Sequence, residues 1–212
     1  MTQAALLANG VAEMGLDVPA VIQEKLLAYL ALLYKWNKVY NLTAVRDPLE
    51  MVTLHLLDSL SVLPYIDSNN LLDVGSGGGL PGIVLAICLP NLQVTTMDTV
   101  QKKAIFMRQV KGELRLANLT VVHARVENYQ QTEKFDAIIS RALSDIALFI
   151  KLTQHLLAKN GQWLAMKGQV PHEELAAMAI KVNQPISIKN IVPLTVAGLD
   201  AGRHLLILEQ LV

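Results

Sequence analysis

The stretch of the sequence with the clearest chemical meaning is a glycine-rich turn, "DVGSGGGLPG", from Asp73 to Gly82. Gly75, Gly77 and Gly79 alternate there between two apolar runs. Glycine adopts positive φ without a steric penalty and lets the backbone approach a bound molecule closely. The turn therefore predicts a ligand site, and the candidate ligands are a nucleoside triphosphate, a dinucleotide and a sulfonium cofactor.

The residues around the turn distinguish these ligands. A P-loop requires a lysine where this sequence has Ile83, and a dinucleotide turn requires a third glycine where it has Leu80. Asp73 places a carboxylate beside the turn, which suits the ammonium group of a methionine moiety better than a pyrophosphate. The pattern D-x-G-x-G-x-G therefore favours S-adenosylmethionine, with Asp73 and the three alternate glycines as cofactor-binding residues.

Further candidate cofactor residues follow the next two predicted strands. Asp98 ends the second strand, where an acid suits ribose hydroxyls, although it is equally placed to cap the following helix. Dehydrogenases share such an acid, so Asp98 excludes only P-loops. After the third strand, "HARVEN" offers Val126 to pack on an adenine ring and Glu127 to bind its exocyclic amine, as class I methyltransferases commonly do.

Positioning these residues requires an α/β scaffold, which the hydrophobic pattern predicts. Five strand patterns alternate with helix patterns from residue 70 onwards, and this favours a parallel sheet covered on both faces. The predicted strands are "LLDVG", "LQVTTMD", "LTVVHA", "FDAIISRA" and "GQWLAMKG", and the predicted helices are "LPGIVLAICLP", "VQKKAIFMRQVKGELRLA" and "LFIKLTQHLLAKN". "ISIKNIVPLTV" and "HLLILEQLV" then predict an antiparallel pair. This layout is typical of class I S-adenosylmethionine-dependent methyltransferases, a Rossmann-like fold with seven mostly parallel strands.

The 212 residues, 52% of them hydrophobic, suit one methyltransferase domain at residues 69–212 with an N-terminal helical section at residues 1–68. No apolar run reaches the roughly 18 residues of a membrane span. The start lacks a basic segment, and the single cysteine, Cys88, excludes an internal disulfide. We therefore expect a cytoplasmic protein. A formal net charge of zero argues neither for nor against a nucleic-acid partner.

The N-terminal section is expected to be all-helical, with no strand. Apolar side chains recur at helical spacing between residues 22 and 40. A later helix begins at "DPLE", with Asp47 as the N-cap, Pro48 as the first helical residue and Glu50 as the returning acid of a capping box. It should run to about Leu63.

His55 and Asp58 lie three residues apart on this later helix and are therefore neighbours. Two such ligands are too few for a metal site. We expect a structural pair that packs the helical section against the glycine turn.

Local basic surfaces are the candidates for RNA contact. One interleaves basic and aromatic side chains, an arrangement that suits phosphates and stacked bases: it comprises Lys35, Trp36, Lys38, Tyr40, Asn41 and Arg46. The two aromatic residues are equally expected to face the core. A second basic surface, which is more commonly a solvated helix face, comprises Lys102, Lys103, Arg108, Lys111 and Arg115. Lys167 and Arg203, at predicted sheet ends, are further candidates.

Several motifs along the chain are more specific than the glycine turn. They are "KWNKVYNLTAVRDP", "HLLDSL", "DVGSGGGLPGI", "FDAIISRA", "MKGQ" and "GRHLLILE". Together they resemble the small-subunit ribosomal RNA methyltransferase G family, also called glucose-inhibited division protein B, over nearly the whole chain. The resemblance implies S-adenosylmethionine-dependent methylation of N7 of one guanosine, guanosine 527, in 16S ribosomal RNA. The cofactor residues that it implies are Gly75, Leu80, Asp98, Val126, Glu127 and Arg141. Gly78 replaces a larger residue of the family, which should loosen the turn.

The residue types agree with chemistry at N7. N7 of guanine has a free lone pair and no proton to remove, so positioning should supply most of the catalysis. Adenine-N6 methylases usually carry an Asn/Asp-Pro-Pro-Tyr motif where this chain has "SRA" (residues 140–142). C5-pyrimidine methylases need a nucleophilic cysteine, and the single cysteine of this chain, Cys88, lies in an apolar helix rather than at a strand end. We therefore expect no general base, and Arg141 as the positioning residue near the reaction centre. A salt bridge to Asp98 or Asp73 is the alternative role of Arg141.

Two other functional classes stay open from the sequence. A nucleotide-dependent oxidoreductase shares the glycine turn and the acid at Asp98. A non-catalytic RNA-binding module is suggested by the older name of the family. For the methyltransferase, we expect a monomer that acts on 16S ribosomal RNA or the small ribosomal subunit, without a metal ion or a membrane partner.

Overall fold

The computed structural model describes residues 1–141, 145–182 and 185–211, and one sheet of seven strands lies at its centre. The strands are β1 Asn70–Val74, β2 Gln93–Asp98, β3 Leu119–His123, β4 Phe135–Ser140, β5 Leu157–Lys167, β6 Ile186–Pro193 and β7 His204–Gln210. The α-helices are α1 Gln3–Glu13, α2 Ala20–Tyr40, α3 Pro48–Met51, α4 Asp58–Leu60, α5 Gly82–Cys88, α6 Gln101–Glu113, α7 Ile146–Thr153 and α8 His172–Lys181. A π-helical segment, Val52–Leu57, connects α3 to α4, and short 3₁₀ turns occur at Leu63–Tyr65, Val126–Asn128 and Gln154–Leu156.

The strand order in the sheet is β3-β2-β1-β4-β5-β7-β6. The first five strands in this order are parallel, and β7 pairs antiparallel with β5 and with β6. The chain moves outward from β1 to β3 and then returns to the other side of β1. The turn after β1 therefore lies at the switch point where open α/β sheets bind ligands. The predicted mostly parallel sheet with an antiparallel C-terminal hairpin is confirmed.

Apolar side chains bury both faces of the sheet, as central parallel strands require. One buried cluster joins Leu33 of α2 and Val84 of α5 to the strands. The other contains Phe149 of α7 and Trp163 of β5. Trp163 is completely buried, and its indole nitrogen donates a hydrogen bond to Thr153 Oγ1 at 2.9 Å. The core therefore fixes the strand ends at which the polar residues lie.

The N-terminal section, residues 1–68, is described throughout and contains no strand, as predicted. The boundary after residue 68 between two domains stays a prediction. None of the helices in the described parts of the chain has the length and apolar character needed to span a membrane.

The helix that begins after Asp47 starts with the predicted cap and proline, but among the described hydrogen bonds none joins the Glu50 side chain to the Asp47 N–H, so the predicted capping box is incomplete. The Asp47 carboxylate accepts hydrogen bonds from the backbone N–H groups of Leu49 and Glu50, and Pro48 opens the helix. The helix ends at Leu60, before the expected end near residue 63. Pro64 has no N–H to donate to the carbonyl of Leu60, which explains the earlier end.

Other boundaries differ from the expectations. The helix expected over residues 148–160 ends at Thr153, because the chain from Leu157 onwards pairs with β4 and lengthens β5. α5 is shorter than the expected ten residues, and α8 was not predicted. Ala142, the last residue of the "FDAIISRA" motif, lies outside the described residues.

Candidate active site

The glycine turn crosses the carboxyl end of β1 with left-handed backbone conformations at alternate residues. Gly75, Gly77 and Gly79 have φ values of 72°, 61° and 94°. The backbone N–H groups of Gly75 and Ser76 both donate to the carbonyl of Met97, at 2.9 and 3.1 Å, and hold the turn beside β2. The three alternate glycines therefore meet a real conformational requirement, since other residues are strained at such φ values.

Asp98 connects the glycine turn to the end of β2. Its Oδ2 accepts a hydrogen bond from the Gly77 N–H at 2.9 Å, and its Oδ1 accepts one from the Val100 N–H at 2.8 Å. Lys103 Nζ lies 3.6 Å from Oδ2. Val100 is the N-cap of α6, so the expected helix-capping role of Asp98 is partly realised. A carboxylate has about four acceptor positions, which leaves acceptor capacity for the hydroxyls of a ribose.

A cavity of about 370 Å³ opens between the glycine turn, the end of β2 and the turn after β3. Its lining combines apolar and charged side chains: Val74, Gly75, Met97, Asp98, Thr99, Val100, Lys103, Ala124, Arg125, Val126, Glu127 and Leu152. We call this cavity the cofactor cleft. Its volume lies within the range of small-molecule sites, and it brings together Gly75, Asp98, Val126 and Glu127.

Other predicted cofactor residues lie outside the lining of this cleft. Asp73 is completely buried beneath the glycine turn, where its Oδ2 accepts a hydrogen bond from the Gly82 N–H at 2.8 Å. Asp73 Oδ1 is buried without a hydrogen-bond partner, and burial raises the pKa of this carboxyl to about 7. Leu80 is 3% exposed and belongs to the apolar core. Their roles toward a cofactor stay predictions, and the geometry places both below the turn.

The helical section is fastened to the glycine turn by a buried tyrosine. The hydroxyl of Tyr29 donates to the carbonyl of Gly78 at 2.7 Å. A β-carbon at Gly78 would lie 3.0 Å from Leu33 Cδ1, so the close approach of α2 leaves little room for a side chain there. The Tyr29 hydrogen bond limits the looseness that we expected from this glycine.

A second cavity, of about 430 Å³, opens where β4 and β5 end and β7 begins. It is lined by Val45, Leu54, His55, Asp58, Arg141, Met166, Lys167, Gly168, Leu194, Arg203 and His204. We call it the basic cavity. Among the predicted RNA-binding residues it contains Lys167 and Arg203, and it also contains Arg141.

Asp58 lies at the base of the basic cavity and holds two arginines. Its Oδ2 accepts a hydrogen bond from Arg141 Nη1 at 3.0 Å, and its Oδ1 accepts one from Arg203 Nε at 2.8 Å. Arg141 also donates to the carbonyl of Leu54 at 3.1 Å. As the alternative, a salt bridge of Arg141 with Asp98 or Asp73 was expected. This was wrong, because the helical section places Asp58 at the end of β4 and Arg141 pairs with it.

His55 and Asp58 do not form the expected pair. His55 Nε2 lies 2.9 Å from Thr43 Oγ1, whereas Asp58 binds the two arginines. No hydrogen bond between these two side chains is among those of the described residues, and the segment between them is π-helical, so their angular spacing differs from that of an α-helix. Both residues are more than nine-tenths buried. Burial, and then the positive charge of Arg141, lower the pKa of His55 to about 4, so the imidazole is neutral at neutral pH.

Lys167 reaches the same cavity from the end of β5. Its ammonium group lies 2.8 Å from Glu174 Oε2 of α8, so its charge is neutralised locally. His204 Nδ1 lies 2.8 Å from the carbonyl oxygen of Gly168 and joins the chain after β5 to the start of β7. The cavity therefore presents positive groups whose positions are fixed by carboxylates and backbone carbonyls.

The remaining predicted RNA-binding residues lie on or just after α2. Lys35 and Lys38 are exposed, and Lys38 Nζ lies 4.3 Å above the ring of Tyr34. Arg46 donates to Asn41 Oδ1 at 2.7 Å, in the turn that follows α2.

The two aromatic residues of this surface differ in their surroundings. Trp36 packs on Phe106 in the core, whereas Tyr40 is 42% exposed and lies beside Trp36. Only Tyr40 is therefore available for a stacked base.

Other candidates receive no chemical support from the geometry. Burial raises the pKa of the Cys88 thiol to about 12, so it is a poor nucleophile. Among residues 1–141, 145–182 and 185–211, no group of three or more His, Cys, Asp or Glu side chains is arranged to hold a metal ion. The basic face of α6 contributes Lys103 to the cofactor cleft.

Several contacts of the candidate site had no signal in the sequence that could identify the partner. Asp58 was recognised only as a neighbour of His55, and Asn37 and Thr43 were not singled out. Asn37 is buried and its side chain bonds to both Thr43 and Val45. An asparagine among apolar helix positions is a signal for such a role, because a buried amide requires partners.

Comparison with known proteins agrees with this architecture. A family model described as rRNA small subunit methyltransferase G matches residues 22–206. The chain is 65% identical over 202 residues to "Ribosomal RNA small subunit methyltransferase G" of Methylobacillus flagellatus, covering 95% of this chain and 96% of that protein. It is 52% identical over 212 residues to the protein of the same name from Aromatoleum aromaticum, covering 98% and 99%.

The fold of this chain is similar to that of solved structures. A SAM-dependent methyltransferase from Thiobacillus denitrificans in complex with S-adenosyl-L-homocysteine has a TM-score of 0.51 and 15% identity, covering 73% of this chain and 90% of that chain. At this identity the likeness concerns the fold alone.

Proposed function

The chain belongs to the rRNA small subunit methyltransferase G family, and we propose that it methylates N7 of a single guanosine, guanosine 527, in 16S ribosomal RNA. The two relatives described above, from Methylobacillus flagellatus and Aromatoleum aromaticum, are named as methyltransferases of small-subunit ribosomal RNA. The cofactor is S-adenosylmethionine. The proposed partner is 16S ribosomal RNA or the small subunit, in the cytoplasm, with the protein acting as a monomer.

The observation that carries the proposal is the position of two cavities along one edge of the sheet. The cofactor cleft follows β1, β2 and β3, whereas the basic cavity follows β4 and β5. β1 and β4 are adjacent strands, and the Ser140 hydroxyl donates to the carbonyl of Val74 at 2.9 Å between their ends. Adjacent strands lie roughly 5 Å apart, which supports the proposal that a base in the basic cavity would lie next to a cofactor in the cleft.

The cofactor cleft fits S-adenosylmethionine on the features of this chain. Asp98 retains acceptor capacity toward ribose hydroxyls, Val126 offers a buried apolar contact, and Gly75 leaves the backbone open. When bound, S-adenosylmethionine supplies an electrophilic methyl group on a sulfonium. The residues of the cleft would hold and orient it.

Transfer to N7 asks the protein for placement rather than for proton removal. The N7 lone pair is free in neutral guanine, so no side chain needs to act as a base, and in-line positioning supplies most of the acceleration. Arg141 lines the basic cavity at the end of β4, the strand of that cavity next to β1, and Asp58 fixes its direction. Arg141 is therefore the proposed positioning residue.

The proposal is tested by mapping 7-methylguanosine at nucleotide resolution in 16S ribosomal RNA from a strain without this protein. We expect one position to lose the modification and to regain it when purified protein and S-adenosylmethionine are added. Free RNA and assembled small subunits are assayed in parallel to identify the substrate. Methyl transfer to another atom or position would refute the proposed specificity. Binding of RNA without transfer would support the non-catalytic alternative, and binding of a nicotinamide cofactor would support the oxidoreductase.

The absence of a base has its own test. Single-turnover methyl transfer should change little between about pH 6 and 8.5, because no group must lose a proton. His123 and His204 are the side chains near the site to examine, whereas His55, whose pKa is lowered to about 4, should stay neutral across this range. A rate that rises with a midpoint near 6.5 and loses this dependence when one histidine is replaced would show that a base exists.

A further inference from the structure

His55 has an unusual environment in the wall of the basic cavity. It is 5% exposed, and it lies in the π-helical segment between α3 and α4. Its Nε2 contacts Thr43 Oγ1 at 2.9 Å, whereas its Nδ1 is buried without a hydrogen-bond partner. Buried polar atoms are normally paired, and an unpaired one raises the free energy of the folded state. The Leu54 carbonyl beside the ring is shared with Arg141, so Nδ1 is the ring atom that a ligand in the basic cavity could pair.

The turn after α2 holds the opposite side of His55 in place. The Thr43 N–H donates to Asn37 Oδ1 at 2.9 Å, and Asn37 Nδ2 donates to the carbonyl of Val45 at 3.0 Å. Thr43 Oγ1 also accepts a hydrogen bond from the Val45 N–H at 3.2 Å. These contacts fix the Thr43 hydroxyl, and through it the orientation of the imidazole ring. The imidazole ring is thus held from its Nε2 side by the turn after α2.

The walls of the basic cavity, which His55 lines, suit a planar heterocycle with a polar edge. Leu54, Met166 and Leu194 contribute apolar surface, and the cavity volume of about 430 Å³ lies within the range of small-molecule sites. Enzymes that modify a nucleobase take it out of the stack into such a pocket and bind its Watson–Crick edge. The burial of His55, with Arg141 nearby, lowers its pKa to about 4, so a base would meet a neutral imidazole.

We propose that the target guanine enters the basic cavity and that His55 Nδ1 forms a hydrogen bond with the O6–N1 edge of the base. The proposal rests on the proposed function, because it requires guanine to be the substrate. It adds the residue that recognises the base and the edge that it recognises.

The arrangement of the arginines agrees with this orientation. Arginine commonly binds guanine through O6 and N7 together, and such a contact would occupy the lone pair that must attack the methyl group. Asp58 accepts hydrogen bonds from Arg141 and Arg203 and holds both guanidinium groups at the base of the cavity. A contact at the O6–N1 edge through His55 leaves N7 free. Asp58 is therefore a positioning residue that keeps the arginines from that lone pair.

Two substitutions of His55 distinguish the role of Nδ1, which is proposed to bind the base, from that of Nε2, which contacts Thr43. In His55→Asn the side-chain amide replaces Nδ1, and in His55→Gln it replaces Nε2, the atom that contacts Thr43. We expect kcat/KM for 16S RNA to fall at least about tenfold in His55→Gln and by less than about threefold in His55→Asn. Affinity for S-adenosylmethionine should be unchanged in both, because His55 lies outside the lining of the cofactor cleft.

The opposite order, with His55→Asn the weaker enzyme, would show that the contact with Thr43 is what matters and would overturn the proposal. Equal activity of His55→Gln and wild type, on correctly methylated guanosine, would overturn it while leaving the proposed function intact. Methylation of a different nucleotide by the wild type would refute both.

A second measurement needs no variant and therefore does not depend on folding. Wild-type protein is given RNA that carries 1-methylguanosine at the target position, which blocks the N1 edge and leaves N7 unchanged. We expect methyl transfer to fall at least about tenfold relative to unmodified RNA. Transfer at the same rate to both RNAs would overturn the proposed edge.

Discussion

Replacing Asp58 by asparagine removes one charge from the point where three parts of the chain meet. Asp58 lies in the helical section, Arg141 at the end of β4 and Arg203 just before β7. Asparagine keeps the size of the side chain but has one acceptor oxygen and a donor amide, so it cannot accept hydrogen bonds from both guanidinium groups through separate oxygens. We expect lower stability together with a loss of RNA turnover.

The magnitude follows from burial. Breaking a fully buried ion pair by removing one partner costs about 3–5 kcal/mol. Asp58 is 5% exposed, but Arg141 and Arg203 are 27% and 26% exposed, so water compensates them in part. We therefore expect a loss of about 2–3 kcal/mol in the free energy of unfolding. For a chain of this length this corresponds to a fall in Tm of roughly 5–10 °C.

The assay is chemical denaturation and thermal unfolding of wild type, Asp58→Asn and a matched control, Asp136→Asn. Asp136 is an exposed carboxylate that accepts hydrogen bonds from the backbone N–H groups of Asn69 and Asn70, and one oxygen suffices for both. The control should lose less than about 1 kcal/mol. If Asp58→Asn loses no more than the control, the two-arginine contact does not hold the cavity together and the reasoning fails.

Three further predictions concern the cofactor, the RNA surface and pH. Asp98→Ala should weaken S-adenosylmethionine binding by about 1–3 kcal/mol in calorimetry, and unchanged affinity in the folded variant would exclude a ribose contact. Replacing Lys35 and Lys38 together by glutamine should reduce the slope of log RNA affinity against log salt concentration by up to about two, without altering cofactor affinity. An unchanged slope would place the RNA elsewhere, for example on α6. The folded-state pKa of Asp73 is raised from 3.8 to about 7, so the native state binds the extra proton and its stability falls as pH rises through this window. Asp73→Asn should therefore gain stability relative to wild type between about pH 4 and 7, and a difference that stays constant in denaturation curves across this range would contradict the assigned burial.

Much of the scaffold could be predicted from local sequence. The strand before Gly75, the Asp47 cap and the C-terminal hairpin were all correct, because hydrophobic period, turn residues and capping side chains act over a few residues. The end of α7 was wrong because the pairing of Leu157 with Phe135, a contact between distant residues, overrode the helical pattern. The helix α8 was missed, although the acids Glu173 and Glu174 in its first turn are a helix-start signal.

Some features of the candidate site could likewise be predicted from the sequence, and others could not. Gly75 and Asp98 follow strand ends, and parallel strands bring such residues to one edge of the sheet, so their convergence could be foreseen. Asp73 also precedes the turn, but its burial beneath Gly82 depends on how α5 packs, which its position in the sequence does not reveal.

What the sequence determined by itself was the alternation of strands and helices, the left-handed turn after β1 and the membership of the family, all of which depend on residue types at short spacing. What only the tertiary structure decided was the partner of each polar side chain around the basic cavity. Asp58 meets Arg141 across 83 residues and Arg203 across 145. His55 and Asp58 lie three residues apart, yet His55 contacts Thr43 whereas Asp58 binds the two arginines. These contacts arise from the packing of the helical section on the sheet, and burial then gives them the energetic weight that an exposed neighbour would lack.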